Sequence, residues 1–270
     1  MSSKPTILLT NDDGYQAIGF YPLMRELSKD FQVIAVAPDS KKSWQGKAIS
    51  CYQPLKVKEV QLEEFSVYAV NGTPADCVQL GLYDLSVKTP DFVVSGINIG
   101  MNAGHGRILS SGTAGAAIEA AINEVPALAS SLHLTEQHDQ AINYFDRKFY
   151  YVYDQAAIIT AKLVRIAMQN KLPEDTDLLS VNIPFTATID SPCEVTSIAR
   201  DKYGPIFVKE GEEFVHMRRK DAKPVSTKNF PSGTDLHALD QEHISVTPVS
   251  LDLTSHSSKE KLQHFINQTW

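Results

Sequence analysis

Two adjacent carboxylates, Asp12 and Asp13, follow the apolar run Ile7-Leu8-Leu9 and precede Gly14. A short apolar run closed by a turn reads as a buried strand. In an open α/β sheet the carboxyl end of such a strand is where ligands bind. Two acids placed there repel each other unless a proton, a donor or a cation compensates, and a hard divalent cation with oxygen ligands does so directly. Asn11, Asp12 and Gly14 are also ordinary turn and cap residues, so the stretch alone leaves both readings open.

Further oxygen donors come from later loops. The polar loop from Asp39 to Lys47 carries Ser43, and Ser95-Gly96-Ile97-Asn98 carries Asn98. With Asp12 and Asp13 they form an all-oxygen set, suited to magnesium, manganese or calcium and not to zinc. Taken singly, Asn98 reads as a turn residue and Ser43 as a solvated serine. Ser111-Gly112-Thr113 stands at an expected helix start, where free N–H groups amount to roughly half a positive charge and attract anions. Asn102 lies in the loop feeding it, and Gly46, Gly100, Gly104 and Gly106 permit close backbone approach. A helix cap without a ligand is the plainer reading of Ser-Gly-Thr. A cation pocket beside an anion pocket suits a phosphate ester.

Other groups point less sharply. His105 and Arg107 offer positive charge near that loop, or are simply solvated. Phe149, Tyr150, Tyr151 and Tyr153 are expected to pack a helix start against the sheet, although aromatic rings also stack on bases. Ser232-Gly233-Thr234-Asp235 reads as a turn with a cap. His237, His243, His256 and His264 share no ligand-like spacing, so no zinc site is argued.

The elements that must position these residues alternate. Phe20, Leu23, Met24 and Leu27 make one helical stripe, and Phe31 to Ala37 a second buried strand, which gives a β-α-β unit and a parallel sheet. Phe65 to Val70 reads as a strand. Thr73 as N-cap and Pro74 at the first helical position open a helix to about Tyr83. Phe92 to Ser95 is another strand. Gly96 to Gly112 is then a long connection with five glycines and no evident period; such loops tend to be functional. Ala114 to Asn123 is an Ala-rich helix and Pro126 to Leu132 a strand. His133 to Phe149 reads as loop with some helix. A long helix from about Tyr151 to Asn170 and a strand from Leu178 to Ile183 follow. The alternation then stops. Cys193 to Ala199 and Glu213 to Arg218 read as strands of an antiparallel extension. Ile244 to Pro248 is a last strand and Ser257 to Ile266 a weakly amphipathic helix. The expected division is a Rossmann-like core over 1–190 and an extension over 191–270 within the same functional unit.

Composition narrows the class. A chain of 270 residues suits one large domain, alone or with an appendage. A formal net charge of −7 argues against a nucleic-acid duplex as main partner, while leaving room for a small phosphorylated substrate. Cys51, Cys77 and Cys193 are scattered and odd in number, which favours a reducing compartment. No signal peptide or membrane-spanning length is evident, so a cytoplasmic protein is expected.

These stretches together resemble the SurE family of survival-protein nucleotidases and acid phosphatases. The matching runs are ILLTNDDG (Ile7 to Gly14), VAPDSKKS (Val36 to Ser43), NGTPADCVQLGL (Asn71 to Leu82), PDFVVSGINIGMN (Pro90 to Asn102), SSGTAGAAIEA (Ser110 to Ala120) and GTDLHALDQEHISVTPVSLDLT (Gly233 to Thr254). The resemblance implies a phosphomonoesterase dependent on magnesium or manganese, hydrolysing 5′ and also 3′ nucleoside monophosphates. It implies Asp12, Asp13, Ser43 and Asn98 as metal ligands and Asn102, Ser111, Gly112 and Thr113 as phosphate contacts; Gly46 is added to the expected substrate-binding set for the close backbone approach it permits. It also implies a Rossmann-like α/β sandwich with a β-hairpin extension and a C-terminal helix used in a homodimer or homotetramer. The chain departs from the family where Ser40-Lys41-Lys42 replaces Arg-Asn-Arg before Ser43 and Trp44 replaces a glycine after it. It departs again at His105-Gly106-Arg107, where acidic residues are usual. These changes bear on substrate preference and pH optimum. Trp44 either covers the pocket, stacks a base or is buried in packing.

The expected mechanism is in-line attack on phosphorus by a metal-activated water, with Asp12, Asn102 and Ser111 as the catalytic residues. A phospho-aspartate formed on Asp12 is the runner-up. Two other classes compete. A nucleotide-binding regulatory module needs no paired carboxylates. A dinucleotide-dependent oxidoreductase needs a GxGxxG that Asn11 to Gly19 lacks.

Overall fold

The fold is that of a computed structural model, which describes residues 4–134, 141–202, 204–216 and 229–269. Strand β1 (Thr6–Thr10) is buried along its whole length. It lies between two parallel neighbours, β2 (Gln32–Pro38) and β5 (Phe92–Ile99). A strand hydrogen-bonded on both edges and covered on both faces has to be continuously apolar. Ile7 and Leu9 face one core and Leu8 the other, as the strand period of two requires.

The first core is closed by α1 (Phe20–Leu27) and α5 (Asp154–Asn170). The expected stripe Phe20, Leu23, Met24 and Leu27 is buried there. The 3₁₀ turn Arg147–Tyr153 leads into α5, with Tyr153 buried and Tyr150 stacked on Tyr21 at 4.7 Å. That is the packing role expected of this aromatic cluster, Tyr151 alone standing well exposed. The second core is closed by α2 (Pro74–Tyr83) and α4 (Gly112–Ile122). Thr73 and Asp76 form a capping box at the start of α2. Alanines 114, 116, 117 and 120 let α4 settle close to the sheet.

With β3 (Val57–Leu62), β4 (Phe65–Val70), β6 (Ala127–His133), β7 (Leu178–Pro184), β8 (Cys193–Val195) and β11 (Ile244–Val249), the sheet has nine strands in the order β3-β4-β2-β1-β5-β6-β7-β11-β8. Six of them, β4 to β7 in that order, run parallel. This is the mostly parallel, Rossmann-like sandwich expected. A separate antiparallel hairpin pairs β9 (Phe207–Glu210) with β10 (Glu213–His216).

Four expectations change. Val57–Leu62 is a strand that polar, exposed residues concealed; it is the sheet edge, paired antiparallel to β4. The strand beginning at Phe92 continues to Ile99, with a register shift between Ser95 and Asn98, so Asn98 stands on the strand itself. The connection after it is not without structure, because His105–Ser110 forms the short helix α3. Cys193 to Ala199 is a strand only to Val195, and it pairs parallel to β11 in the main sheet instead of joining Glu213 onward. Alternation along a strand cannot name its neighbour. Met217 and Arg218, the expected end of the strand from Glu213, lie outside the described residues, as do 135–140 of the connection after β6. Because β11 pairs with β7 and β8, residues on both sides of position 190 share one sheet.

Helix α6 (Asp235–Asp240) follows Thr234, whose side chain caps it. The terminal helix α7 (His256–Thr269) is exposed, and Leu262, Phe265 and Ile266 are at least half or nearly half exposed on it. Among the described residues, no helix is long and apolar enough to cross a membrane.

Candidate functional site

The turn after β1 is closed by one side chain. Asn11 donates to the Gly14 carbonyl (2.9 Å) and accepts from the Gly14 N–H (3.1 Å). This folds Asp12 and Asp13 inward, and they are 3% and 1% exposed. Asp13 Oδ2 accepts from the Ile99 N–H at 2.9 Å, which sets Asp13 beside Asn98. Asp12 Oδ1 accepts from the Thr113 hydroxyl at 2.6 Å. The Asp12 carbonyl accepts from the Lys42 N–H at 2.7 Å, which draws Ser43 to the same edge. The Gly46 N–H donates to the Ser110 carbonyl at 3.0 Å, pinning the far end of that loop to the start of α4. Asp12, Asp13, Ser43, Asn98, Gly46 and the Ser111–Thr113 turn are therefore gathered at the carboxyl edge of the sheet.

Two close approaches need glycine. A Cβ at Gly112 would stand 2.7 Å from Asp12 Cβ, so only glycine lets the helix start meet the carboxylate turn. A Cβ at Gly115 would stand 2.3 Å from the Gly46 carbonyl oxygen, which is how the Ser43 loop lies against α4.

Charge at this edge is unbalanced. Burial, and then the neighbouring charge of Asp13, push the Asp12 carboxyl up to about 7, against the pull of Thr113 and Lys41. Lys41 Nζ reaches Asp13 Oδ1 at 3.2 Å from a half-exposed position. Two adjacent buried acids of this kind suit a dication. The donors suit it chemically too: carboxylates, the Ser43 hydroxyl and the Asn98 amide. Asn98 Nδ2 donates to the Gly100 carbonyl at 2.7 Å, so the amide oxygen is the atom of Asn98 that could hold a cation. Among the described residues there is no group of three or more His, Cys, Asp or Glu placed to hold a metal.

The anion side is organised by α4. The Ser111 hydroxyl accepts from the Ala114 N–H at 3.0 Å, so it caps the helix and keeps its own hydrogen to donate. The Thr113 side chain is taken by Asp12, which leaves its N–H, with that of Gly112, for an anion. Asn102 is fixed from two strands. Its N–H donates to Asn182 Oδ1 (2.8 Å) and its Nδ2 to Ser131 Oγ (2.9 Å). Ser131 is in register with Asn98, so Asn102 lies across one strand from the carboxylates.

Arg107, read as possible charge for a phosphate, is instead paired with Asp201 at 2.6 Å, both side chains nearly buried. Asp201 also accepts from the Gly106 N–H at 2.9 Å. Asp235, whose carboxyl burial pushes up, accepts from the N–H groups of Gly104 (2.8 Å) and Ala199 (2.9 Å). His105 contributes its N–H to the Ala199 carbonyl at 2.9 Å. The 104–107 turn is thus held by residues far along the chain. Trp44 is 49% exposed, so it is not a packing tryptophan.

Sequence reasoning did not single out Lys41, Ser131, Asn182 or Asp201. Ser131 and Asn182 carry a usable signal, being polar residues near the carboxyl ends of otherwise apolar strands. Asp201 carried none, since it sits in a charged, irregular stretch.

Comparisons with known proteins identify the family. A family model described as Survival protein SurE matches residues 7–205. The 5′-nucleotidase SurE of Methanocella arvoryzae is 37% identical over 98% of this chain and 98% of its own length. That of Methanocaldococcus jannaschii is 38% identical over 92% of each. The crystal structure of the SurE protein from Aquifex aeolicus matches with a TM-score of 0.77 and 31% identity, covering 97% of this chain and 100% of that one. The matched span runs from the strand that delivers the carboxylates to the segment that holds the 104–107 turn, and this chain belongs to the SurE family.

Proposed function

We propose that this chain is a phosphomonoesterase that hydrolyses nucleoside monophosphates at the 5′ and also the 3′ ester, with magnesium or manganese held by Asp12, Asp13, Ser43 and Asn98. The observation that carries this reading is the contact of the buried Asp12–Asp13 pair with the start of α4 through Thr113 and Gly112. A module that only bound nucleotides would need the helix start but not two acids beside it. When bound, the cation supplies Lewis-acid polarisation of a phosphate oxygen and a lowered pKa for water. The relatives named 5′-nucleotidase support the nucleotide as substrate.

The chain's own residues supply the rest. The N–H groups of Gly112 and Thr113 receive phosphate oxygens, and Ser111 donates its hydroxyl hydrogen. Asn102, clamped by Ser131 and Asn182, offers its remaining amide hydrogen to the same group. Asp12 orients the attacking water and takes its proton. The bond from water oxygen to phosphorus forms as the bond to the nucleoside oxygen breaks; the leaving oxygen takes a proton from solvent water, and Asp12 returns the proton it accepted to solvent.

The enzyme acts in the cytoplasm on a small-molecule substrate, without a nucleic-acid duplex or a membrane. It works as a homodimer or homotetramer, in which the apolar residues of α7 and Leu253, 91% exposed, meet a second copy. The test is phosphate release from 5′-AMP, 3′-AMP and p-nitrophenyl phosphate, with manganese, with magnesium and with chelator. Release that persists in chelator rejects the metal. Absence of release from every ester rejects the reaction. Acid quenching of a single turnover separates direct attack, which leaves no phosphate on the protein, from an Asp12 phospho-enzyme, which leaves an acyl phosphate on that carboxylate.

A further inference from the structure

Helix α4 carries a second polar residue beyond its first turn. Glu119 stands seven residues after Gly112, about two turns along the same helix, and it is buried. A buried carboxylate is costly unless it is paired. Its partner is Lys47, whose Nζ lies 2.7 Å from Glu119 Oε2. Glu119 Oε1 accepts from the Gln79 amide on α2 and from Asn123 Nδ2 at 3.2 Å. A glutamine oxygen would accept both amide hydrogens, so it is Lys47 that calls for the charge.

Lys47 lies four residues after Ser43, at the exit of the loop that carries it. The entrance is fixed by the Lys42 N–H to the Asp12 carbonyl (2.7 Å) and the exit by the Gly46 N–H to the Ser110 carbonyl (3.0 Å). Residues 43–45 bridge these two points. Within the bridge Trp44 has a φ of 65°, in the left-handed region that a bulky residue rarely adopts. Such a conformation persists only where the surroundings enforce it. Released at one end, the bridge would relax, and Ser43, next to Trp44, would turn with it. The contact with α4 is what holds the exit. Gly115, where a Cβ would stand 2.3 Å from the Gly46 carbonyl oxygen, lets the loop lie close enough for Lys47 to reach Glu119. Past Lys47 the chain is tied to the start of α2. The Thr73 hydroxyl donates to the Ala48 carbonyl (2.6 Å) and the Ser50 N–H to Asp76 Oδ1 (3.0 Å).

We infer that Glu119, acting through Lys47, is a positioning residue for the cation site: it holds the Ser43 hydroxyl in register with Asp12, Asp13 and Asn98 and ties that donor to the helix whose start receives the phosphate. The inference rests on the phosphomonoesterase reading above, in which Ser43 is a cation ligand. Residues behind the ligands set metal affinity by fixing where the donor atoms stand. Here one helix would fix both halves of the site, Thr113 and Gly112 at its start and the Ser43 loop two turns later.

Calorimetric titration with manganese reads the cation site without turnover. Lys47→Met should weaken manganese binding about tenfold, and Lys47→Arg, which keeps the charge, should hold most of the affinity. The double variant Lys47→Met with Glu119→Gln leaves no buried charge unpaired, so it should fold, and it should bind manganese as weakly as Lys47→Met. A double-mutant cycle tells whether the effect runs through Ser43. Once Ser43→Ala has removed the hydroxyl, adding Lys47→Met should weaken binding little further. Chemical denaturation in chelator measures what the same pair gives to stability alone. A loss of stability with manganese affinity unchanged overturns the inference, because the pair then only packs the loop on the helix. So does full additivity of Lys47→Met and Ser43→Ala, which would mean that Lys47 does not act on Ser43. Wild-type protein that binds manganese but releases phosphate from no ester defeats the phosphomonoesterase reading, and the affinity comparison still decides for or against Glu119. Wild-type protein that binds no manganese defeats both.

Discussion

The Thr113 hydroxyl donates to Asp12 Oδ1 at 2.6 Å, and neither residue is more than 3% exposed. One side chain on the first turn of α4 thereby orients a carboxylate delivered by β1. Thr113→Val keeps the shape and removes the donor. Hydrogen bonds to carboxylates contribute about 1.5–3 kcal/mol. The variant should lose about tenfold or more in kcat/KM for AMP and melt at a lower temperature. Unchanged kinetics would show that Asp12 is oriented by other contacts.

Asp13→Asn should abolish metal-dependent phosphate release and leave the fold intact, because an amide oxygen can still accept from the Ile99 N–H. Calorimetric titration with manganese should lose its binding isotherm in the same variant. Full turnover in Asp13→Asn would remove this residue from the metal set.

The Asp12 carboxyl gives a pH signature. Its ordinary value is 3.8, and in the folded chain without metal it stands at about 7. Between these values the native state holds a proton that the unfolded state has lost. Stability is therefore greatest below about pH 4 for this group and falls as pH rises through about 7. Thermal melts of the chelated protein across that window should show the fall, and Asp12→Asn should flatten it. Manganese, which needs the deprotonated oxygens, should reverse the trend.

Asp201→Ala takes a carboxylate away from the nearly buried Arg107 and removes the acceptor of the Gly106 N–H. Breaking one half of a buried pair costs about 3–5 kcal/mol. Replacing both halves, Arg107→Met with Asp201→Leu, should cost clearly less. A double-mutant cycle by chemical denaturation measures the difference, and strict additivity would show that the pair contributes no coupling.

Ser131→Ala removes the acceptor that holds Asn102 Nδ2. The expected result is a fall in kcat of roughly threefold to tenfold, about 1 kcal/mol, with little loss of stability. An equal fall for Asn102→Ala and for the double variant would confirm that Ser131 acts through Asn102.

The sheet and the carboxylate turn were legible because buried parallel strands are uniformly apolar and stop at polar turns, as in Ile7 to Gly14. The helix start at Ser111–Thr113 was legible as a cap, although not that Thr113 would spend its hydroxyl on Asp12 rather than on a phosphate. Strand β3 was hidden because an edge strand needs little apolar surface. The true partner of Cys193–Val195 was hidden because pairing is decided by residues some fifty positions away. Lys41 and Asp201 show the same limit. A charged side chain in a loop looks the same on paper whether it ends in water or against a buried counterion.

The position of β11 has a consequence for how this protein is made. It slots between β7 and β8, and those two strands have no direct pairing with each other. During synthesis the growing sheet exposes the bare flank of β7 until residue 249 has emerged, and an open flank of that kind invites association with other chains. Asp235, which holds Gly104 across 131 positions, emerges nearly as late. A ribosome that stalls before this point releases a chain with its carboxylates in place, an adhesive sheet edge and an unfinished reaction centre.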